Sequence, residues 1–215
     1  TVVISNLSPL VEGGKYPTKR VVGETLSVHA DIFKEGHDQV LAVLAWRPSG
    51  STEWIELPMQ HHDNDRWRAE LSFSERGYEV SVTAWADDFL TWLHDYERRL
   101  TGDQTDLSTE IEEGRVILNC AAIRAASHRA RVDADAIESL TTALMKTEPH
   151  QVPVLIDTPE NIALLARWPN RSLATTGEQF IPVIVETKRS SFSAWYEFFP
   201  RSAEGLENRH STFRD

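Results

Sequence analysis

The sequence predicts an α+β fold in which an antiparallel β-sandwich is interrupted by an inserted α-helical bundle, and three observations carry this reading. Short runs of alternating apolar and polar residues fill positions 25–85. The apolar period changes from two to about 3.6 at Asp87. The strand pattern then returns from Gln179.

In the first segment, TLSVHADIF, QVLAVLAWR, EWIELPM, RWRAELSF and YEVSVTAW each have the length and the β-branched or aromatic content of a strand. Turn chemistry joins them at Glu35-Gly36-His37-Asp38, Pro48-Ser49-Gly50, Asp63-Asn64-Asp65 and Glu75-Arg76-Gly77. Evenly spaced short strands with polar turns indicate an immunoglobulin-like sandwich over a barrel. In the second segment, DDFLTWLHDYERRL places Phe89, Trp92, Leu93 and Tyr96 on one helical stripe. A second helix follows in TDLSTEIEEGRVILNCAAIRAAS, with Asp106 or Ser108 as its cap and Ile111, Val116, Ile117, Leu118, Ala122 and Ile123 as its apolar positions. A third, DADAIESLTTALMKT, carries Ile137, Leu140 and Leu144 on one face. A short fourth opens at Thr158-Pro159-Glu160, with proline in the first turn. In the third segment, QFIPVIVETK and SFSAWYEFF read as strands, the latter stopped by Pro200. Two strands alone are marginal, so they need an existing sheet to join. The expected division is therefore residues 1–87 and 175–202 as a discontinuous sandwich, 88–174 as an inserted helical domain, and 203–215 as a linker toward another folded unit.

With 26% charged and 40% hydrophobic residues, the composition is that of an ordinary globular protein. A net charge of -11, with no cluster of Lys and Arg, argues against a nucleic-acid partner. The longest apolar stretches, 39–46 and 180–185, are far short of the roughly 20 residues of a bilayer helix, so no membrane partner is expected. The single cysteine, Cys120, excludes an internal disulfide framework and fits a reducing, cytoplasmic setting. Its apolar neighbours predict a buried structural thiol. Thr1 is not an initiator methionine and no secretory pattern follows it, so the sequence reads as trimmed. Asn170-Arg171-Ser172 matches a glycosylation acceptor by chance under this reading.

Candidate sites are few. His61, His62, Asp63 and Asp65 could suggest zinc, but strand neighbours point to opposite faces, and a polar hairpin tip explains all four. Asp103, Asp106, Glu110, Glu112 and Glu113 lack the spacing and central glycine of a calcium loop, and a helix N-terminus suffices to explain them. No metal and no cofactor are expected. Seven tryptophans raise the possibility of stacking on sugars. Trp46, Trp67, Trp85 and Trp195 lie in strand patterns and are assigned to cores, leaving Trp54 and Trp92 as candidates for exposure or an interface. Neither a phosphate-binding glycine loop nor a Gly-x-Ser-x-Gly elbow occurs, and no carboxylate pair sits on a recognisable scaffold. No catalytic residue is assigned.

Two stretches carry a family likeness. GGKYPTKRVVGE (13–24), followed by VHADIFKEGHDQV (28–40), resembles the start of the GlgE-type maltosyltransferases, which extend α-1,4-glucans from maltose 1-phosphate. AWYEFFPRS (194–202) and the closing TFRD (212–215) resemble the junction before their (β/α)8 catalytic barrel. The resemblance implies a retaining glycosyltransferase whose nucleophilic aspartate and acid/base glutamate lie on the barrel, with no counterpart in residues 1–215, so this part is expected to be inactive alone. It further implies a homodimer, with this region forming much of the interface near the donor site, and the barrel of the same parent chain as a partner. By that likeness Lys15, Tyr16, Pro17, Lys19 and Arg20 are the positions to watch, as cations that could meet a phosphate or an acidic surface. The alternative reading is a carbohydrate-binding module that tethers the enzyme to α-glucan through Trp54 or Trp92.

Overall fold

The structure, a computed structural model, describes residues 1–74, 76–102, 104, 106–195, 197 and 199. The strands are β1 (Val3–Ser8), β2 (Thr18–Val21), β3 (Thr25–Phe33), β4 (Val40–Pro48), β5 (Ile55–Pro58), β6 (Gln60–Asp63), β7 (Arg66–Ser72), β8 (Arg76–Ala86), β9 (Thr175–Thr176) and β10 (Ile181–Glu186). The helices are α1 (Asp88–Thr101), α2 (Ser108–Ser127), α3 (Arg131–Leu144), α4 (Val152–Ile156) and α5 (Pro159–Ala166). The class is α+β.

The strands form two sheets, one in the order β1-β3-β7-β6 and the other β2-β10-β8-β4-β5, with β9 pairing β8. Alternation dictates the shared core. In β3, Leu26, Val28, Ala30 and Ile32 are buried while their sequence neighbours are not, as the period of two requires. They meet Val80, Val82 and Ala84 of β8 and Ile181, Val183 and Val185 of β10 in one apolar cluster. Trp67 joins this core with its indole N–H donating to the Ile32 carbonyl at 3.2 Å.

Several strands lie where periodicity gave no warning. β1 and β2 precede the first expected strand, with Ile4 and Leu7 of β1 packed against the core and Thr18 of β2 buried, whereas β6 is exposed at all four positions and forms by backbone pairing with β7. His61, His62 and Asp63 lie in β6, and the hairpin to β7 turns at Asn64, which has a φ of 45°. The sheet is also not wholly antiparallel, because β10 runs parallel to β2. The expected strand over 191–199 is not formed at its described residues. Ser191 ends a 3-10 turn (Lys188–Ser191), and Trp195, assigned to a core, is 93% exposed. Tyr196, Phe198, Pro200 and the expected linker over 203–215 lie outside the described residues.

The helices build a second apolar cluster. Phe89, Trp92, Leu93 and Tyr96 of α1 are all buried, as their spacing predicts. α2 buries Leu118 and Ala122 and packs Ile111 and Ile117 against the core as expected, but its stripe departs from the expected one elsewhere. Glu110, Gly114, Leu118, Ala121, Ala122 and Ala125 face inward, whereas Val116 and Ile123 are 47% and 68% exposed and Cys120 is exposed. The buried reading of Cys120 is thus corrected: residues 116, 120 and 123 share the outward face that the i, i+4, i+7 spacing defines. The N-cap of α2 is Leu107, although the Asp106 carboxylate still accepts from the Ser108 N–H at 3.0 Å. The Thr158 hydroxyl caps α5 by accepting from the Asn161 N–H at 3.2 Å, as the sequence predicts. α5 is tied to α3 by Arg167, which holds both Asp133 oxygens at 2.9 Å, and by the Trp168 N–H at 2.8 Å from the same carboxylate.

β8 feeds directly into α1, and after 88 residues the chain rejoins β8 through β9, where Thr175 pairs with Ala84. The helical segment therefore leaves and re-enters the same sheet at adjacent points. Further contacts hold it there. The Gln39 N–H donates to the Thr91 hydroxyl at 2.9 Å, and the Asp87 N–H donates to the Gln39 carbonyl at 2.7 Å. The Arg171 guanidinium lies 4.1 Å over Trp85 while bonding both Glu56 oxygens.

Candidate functional site

The residues singled out from the sequence do not form one site. Lys15 and Tyr16 follow a 3-10 turn (Glu12–Gly14) in which Gly13 and Gly14 have positive φ, and the turn closes with a bridge between Val11 and Tyr16. The Lys15 ammonium stands 5.1 Å over the Tyr16 ring. Lys19 and Arg20 are successive residues of the edge strand β2 and so point to opposite faces. Lys19 pairs with Glu186 at 3.8 Å, and the Arg20 guanidinium donates to the Lys19 carbonyl at 2.7 Å. These cations are solvated and do not converge.

Trp54 lies just before β5 on the opposite edge of that sheet. It is half-buried, stacked on Phe180 at 5.8 Å, with the Arg47 guanidinium 4.3 Å over its ring. Trp92, by contrast, is only 3% exposed, which corrects its reading as an exposed platform. Its ring lies against Gly114, and its indole N–H donates to the Glu110 carbonyl at 2.7 Å.

A cleft of about 990 Å3 lies where the sheet meets the helices. Its floor is set by the join between β8 and α1. Asp87 caps α1, accepting from the Leu90 N–H at 2.8 Å and from the Trp85 indole at 3.4 Å. Burial pushes the Asp87 carboxyl above the usual carboxylate range, and those two hydrogen bonds oppose the rise. Asp88 receives the Asn170 amide at 3.3 Å. Glu110 enters from α2, 5% exposed, with one oxygen paired to Arg99 and Oε2 without a hydrogen-bond partner among the described residues.

The sequence reading treated Glu110 as one of a run of acids at a helix start. A sharper signal was its spacing: positions 110, 114, 118, 121 and 125 form the buried stripe of α2, so a glutamate there sits on an apolar face.

Residues 1–187 match the family model described as alpha-1,4-glucan:maltose-1-phosphate maltosyltransferase, domain N/S. The chain belongs to this family. Curated relatives of this chain carry the name alpha-1,4-glucan:maltose-1-phosphate maltosyltransferase. The Myxococcus xanthus protein is 36% identical over 100% of this chain and 33% of its own length. The Chlorobaculum tepidum protein is 34% identical over 100% and 31%. A second maltosyltransferase of that name from Streptomyces coelicolor is 34% identical over 99% and 32%. This chain thus spans about a third of the length of these relatives. Among the described residues, no helix is long and apolar enough to cross a membrane.

Proposed function

We propose that this chain is the non-catalytic N-terminal region of a cytoplasmic maltosyltransferase that elongates α-1,4-glucan from maltose 1-phosphate, and that it serves homodimerisation and support of the catalytic barrel. In this reading residues 1–87, together with 175–187 of the expected 175–202, form an immunoglobulin-like sandwich, and residues 88–174 an inserted helical domain. The activity rests on the relatives that bear that name.

The observation that carries the dimer role is the outward stripe of α2, where Val116, Cys120 and Ile123 are exposed together. An apolar stripe on a 20-residue helix is the kind of surface that a partner helix covers. Light scattering across a concentration series tests it. A dimer that Ile123→Glu converts to monomer, with far-UV circular dichroism unchanged, supports the role; a wild-type monomer at every concentration overturns it.

A second reading, direct contact with α-glucan, is favoured by the Trp54–Phe180 stack, because Phe180 is 47% exposed beside the half-buried indole. Isothermal titration with maltoheptaose tests it. Heat that disappears in Trp54→Ala supports glucan contact, and no detectable heat in the wild type refutes it.

A further inference from the structure

The cleft between sheet and helices carries more negative charge than its own cations balance. Asp38, Asp87, Asp88, Asp95, Glu110 and Glu113 line it against Lys34 and Arg99. Lys34 is paired with Asp38, Arg98 with Asp95 and Arg99 with one oxygen of Glu110, so the excess negative charge comes from Asp87, Asp88 and Glu113. The other Glu110 oxygen, Oε2, is buried and unpartnered among the described residues. A buried acceptor left without a donor is destabilising, the more so when charged, so this atom marks where an incoming donor is most strongly favoured.

The chemistry of that donor is narrowed by the rest of the lining. No group of three or more His, Cys, Asp or Glu side chains converges for a metal ion among the described residues. Trp85, Trp92 and Tyr96 are 4%, 3% and 0% exposed, so they offer no open ring face on which a sugar could stack. The lining does include Val116 and Leu173, 47% and 85% exposed, which are apolar surface beside the carboxylates. A cationic head on a hydrocarbon stem, with apolar neighbours, matches both features.

We propose that this cleft is a docking site for a basic side chain, arginine or lysine, of a protein segment, whose charged head reaches Glu110 and Glu113 and whose apolar flank lies on Val116 and Leu173. Charge complementarity with an acidic, partly apolar cleft selects this occupant. Val116 is shared with the outward stripe of α2, so the titration is run at a concentration where light scattering finds the chain monomeric, and its readout is not assembly.

The experiment titrates acetyl-Leu-Arg-Leu-amide into the 15N-labelled chain and follows the indole N–H resonances of Trp85 and Trp92, whose nitrogens bond Asp87 and the Glu110 carbonyl. Saturable shifts are expected. They weaken about tenfold in Glu110→Gln and in Glu113→Gln, the latter an exposed position that keeps the test sound if the buried variant unfolds. Added salt weakens them too. The same peptide with citrulline in place of arginine should leave the resonances unmoved. Absence of saturable shifts, equal shifts with the citrulline peptide, or unchanged affinity in Glu113→Gln overturns the proposal. Movement of the same resonances by maltotriose but not by the arginine peptide overturns it in favour of a saccharide site.

Discussion

Gly114→Ala is the sharpest test of how the helical core is assembled. A Cβ added at Gly114 would stand 2.2, 2.6 and 2.9 Å from three ring atoms of Trp92. Contacts this short must be relieved by moving the ring or α2. The ring is 3% exposed and its N–H is bonded to the Glu110 carbonyl at 2.7 Å, so it cannot withdraw without breaking a buried hydrogen bond. Overpacking of this kind costs about 1–3 kcal/mol. Loss of the indole bond would add about 1 kcal/mol. Against these stands the gain of about 1 kcal/mol for alanine over glycine inside a helix. The net expectation is a destabilisation of about 1–3 kcal/mol. Urea unfolding followed by far-UV circular dichroism measures it, with Gly102→Ala as the control. At Gly102 the nearest atom to an added Cβ is 3.4 Å away and φ is -81°, so little change is expected there. A Gly114→Ala variant as stable as the wild type, or more so, would show that Trp92 does not pack against α2 as described.

The other predictions follow from the same contacts. The Arg167 and Trp168 hydrogen bonds hold the Asp133 carboxyl below its ordinary range, so its contribution to stability is present above the unfolded-state pKa and lost as pH falls through the lowered folded value. Asp133→Asn should therefore lower Tm at neutral pH, and the gap from wild type should close on acidification; a gap that persists or widens would contradict this. Thr158→Ala removes the cap of α5 and should cost about 1 kcal/mol in urea unfolding. Under the dimer reading, Cys120 should react readily with a thiol reagent in dilute protein and become protected as concentration rises through dimerisation. Val80→Ala, at a side chain of 0% exposure between the sheets, should cost about 1–3 kcal/mol in the same unfolding assay.

Much of the fold was legible because the periodic segments declare their own state. The alternation in 25–33 describes which side chains a sheet buries whatever it packs on, that in 78–85 marks Tyr78, Val80, Val82 and Ala84 for the core although Ser81 and Trp85 on the other face are buried too, and the 3.6 period of 88–101 does the same for α1. The likeness of residues 13–24 and 28–40 to the maltosyltransferases was equally readable and agrees with the family match. Legibility failed at β1, β2 and β6. A short edge strand is held by backbone hydrogen bonds to its neighbour, and side-chain pattern carries little of that information. It failed again at α2, which offers apolar residues all round. Packing of Trp92 on Gly114 decides which stripe turns inward, leaving Val116, Cys120 and Ile123 outside.

By itself, then, the sequence determined the α+β class, the long strands, the helical segment between them and the family, since each depends on local period or contiguous motif. Tertiary structure alone decided that β10 runs parallel to β2, that Thr175 returns beside Ala84, and that Cys120 is surface. It also decided that Glu110 brings a buried carboxylate to a cleft lined by residues as far apart in the chain as Lys34 and Leu173. These are relations between distant segments, fixed by which faces meet, and no local pattern encodes them.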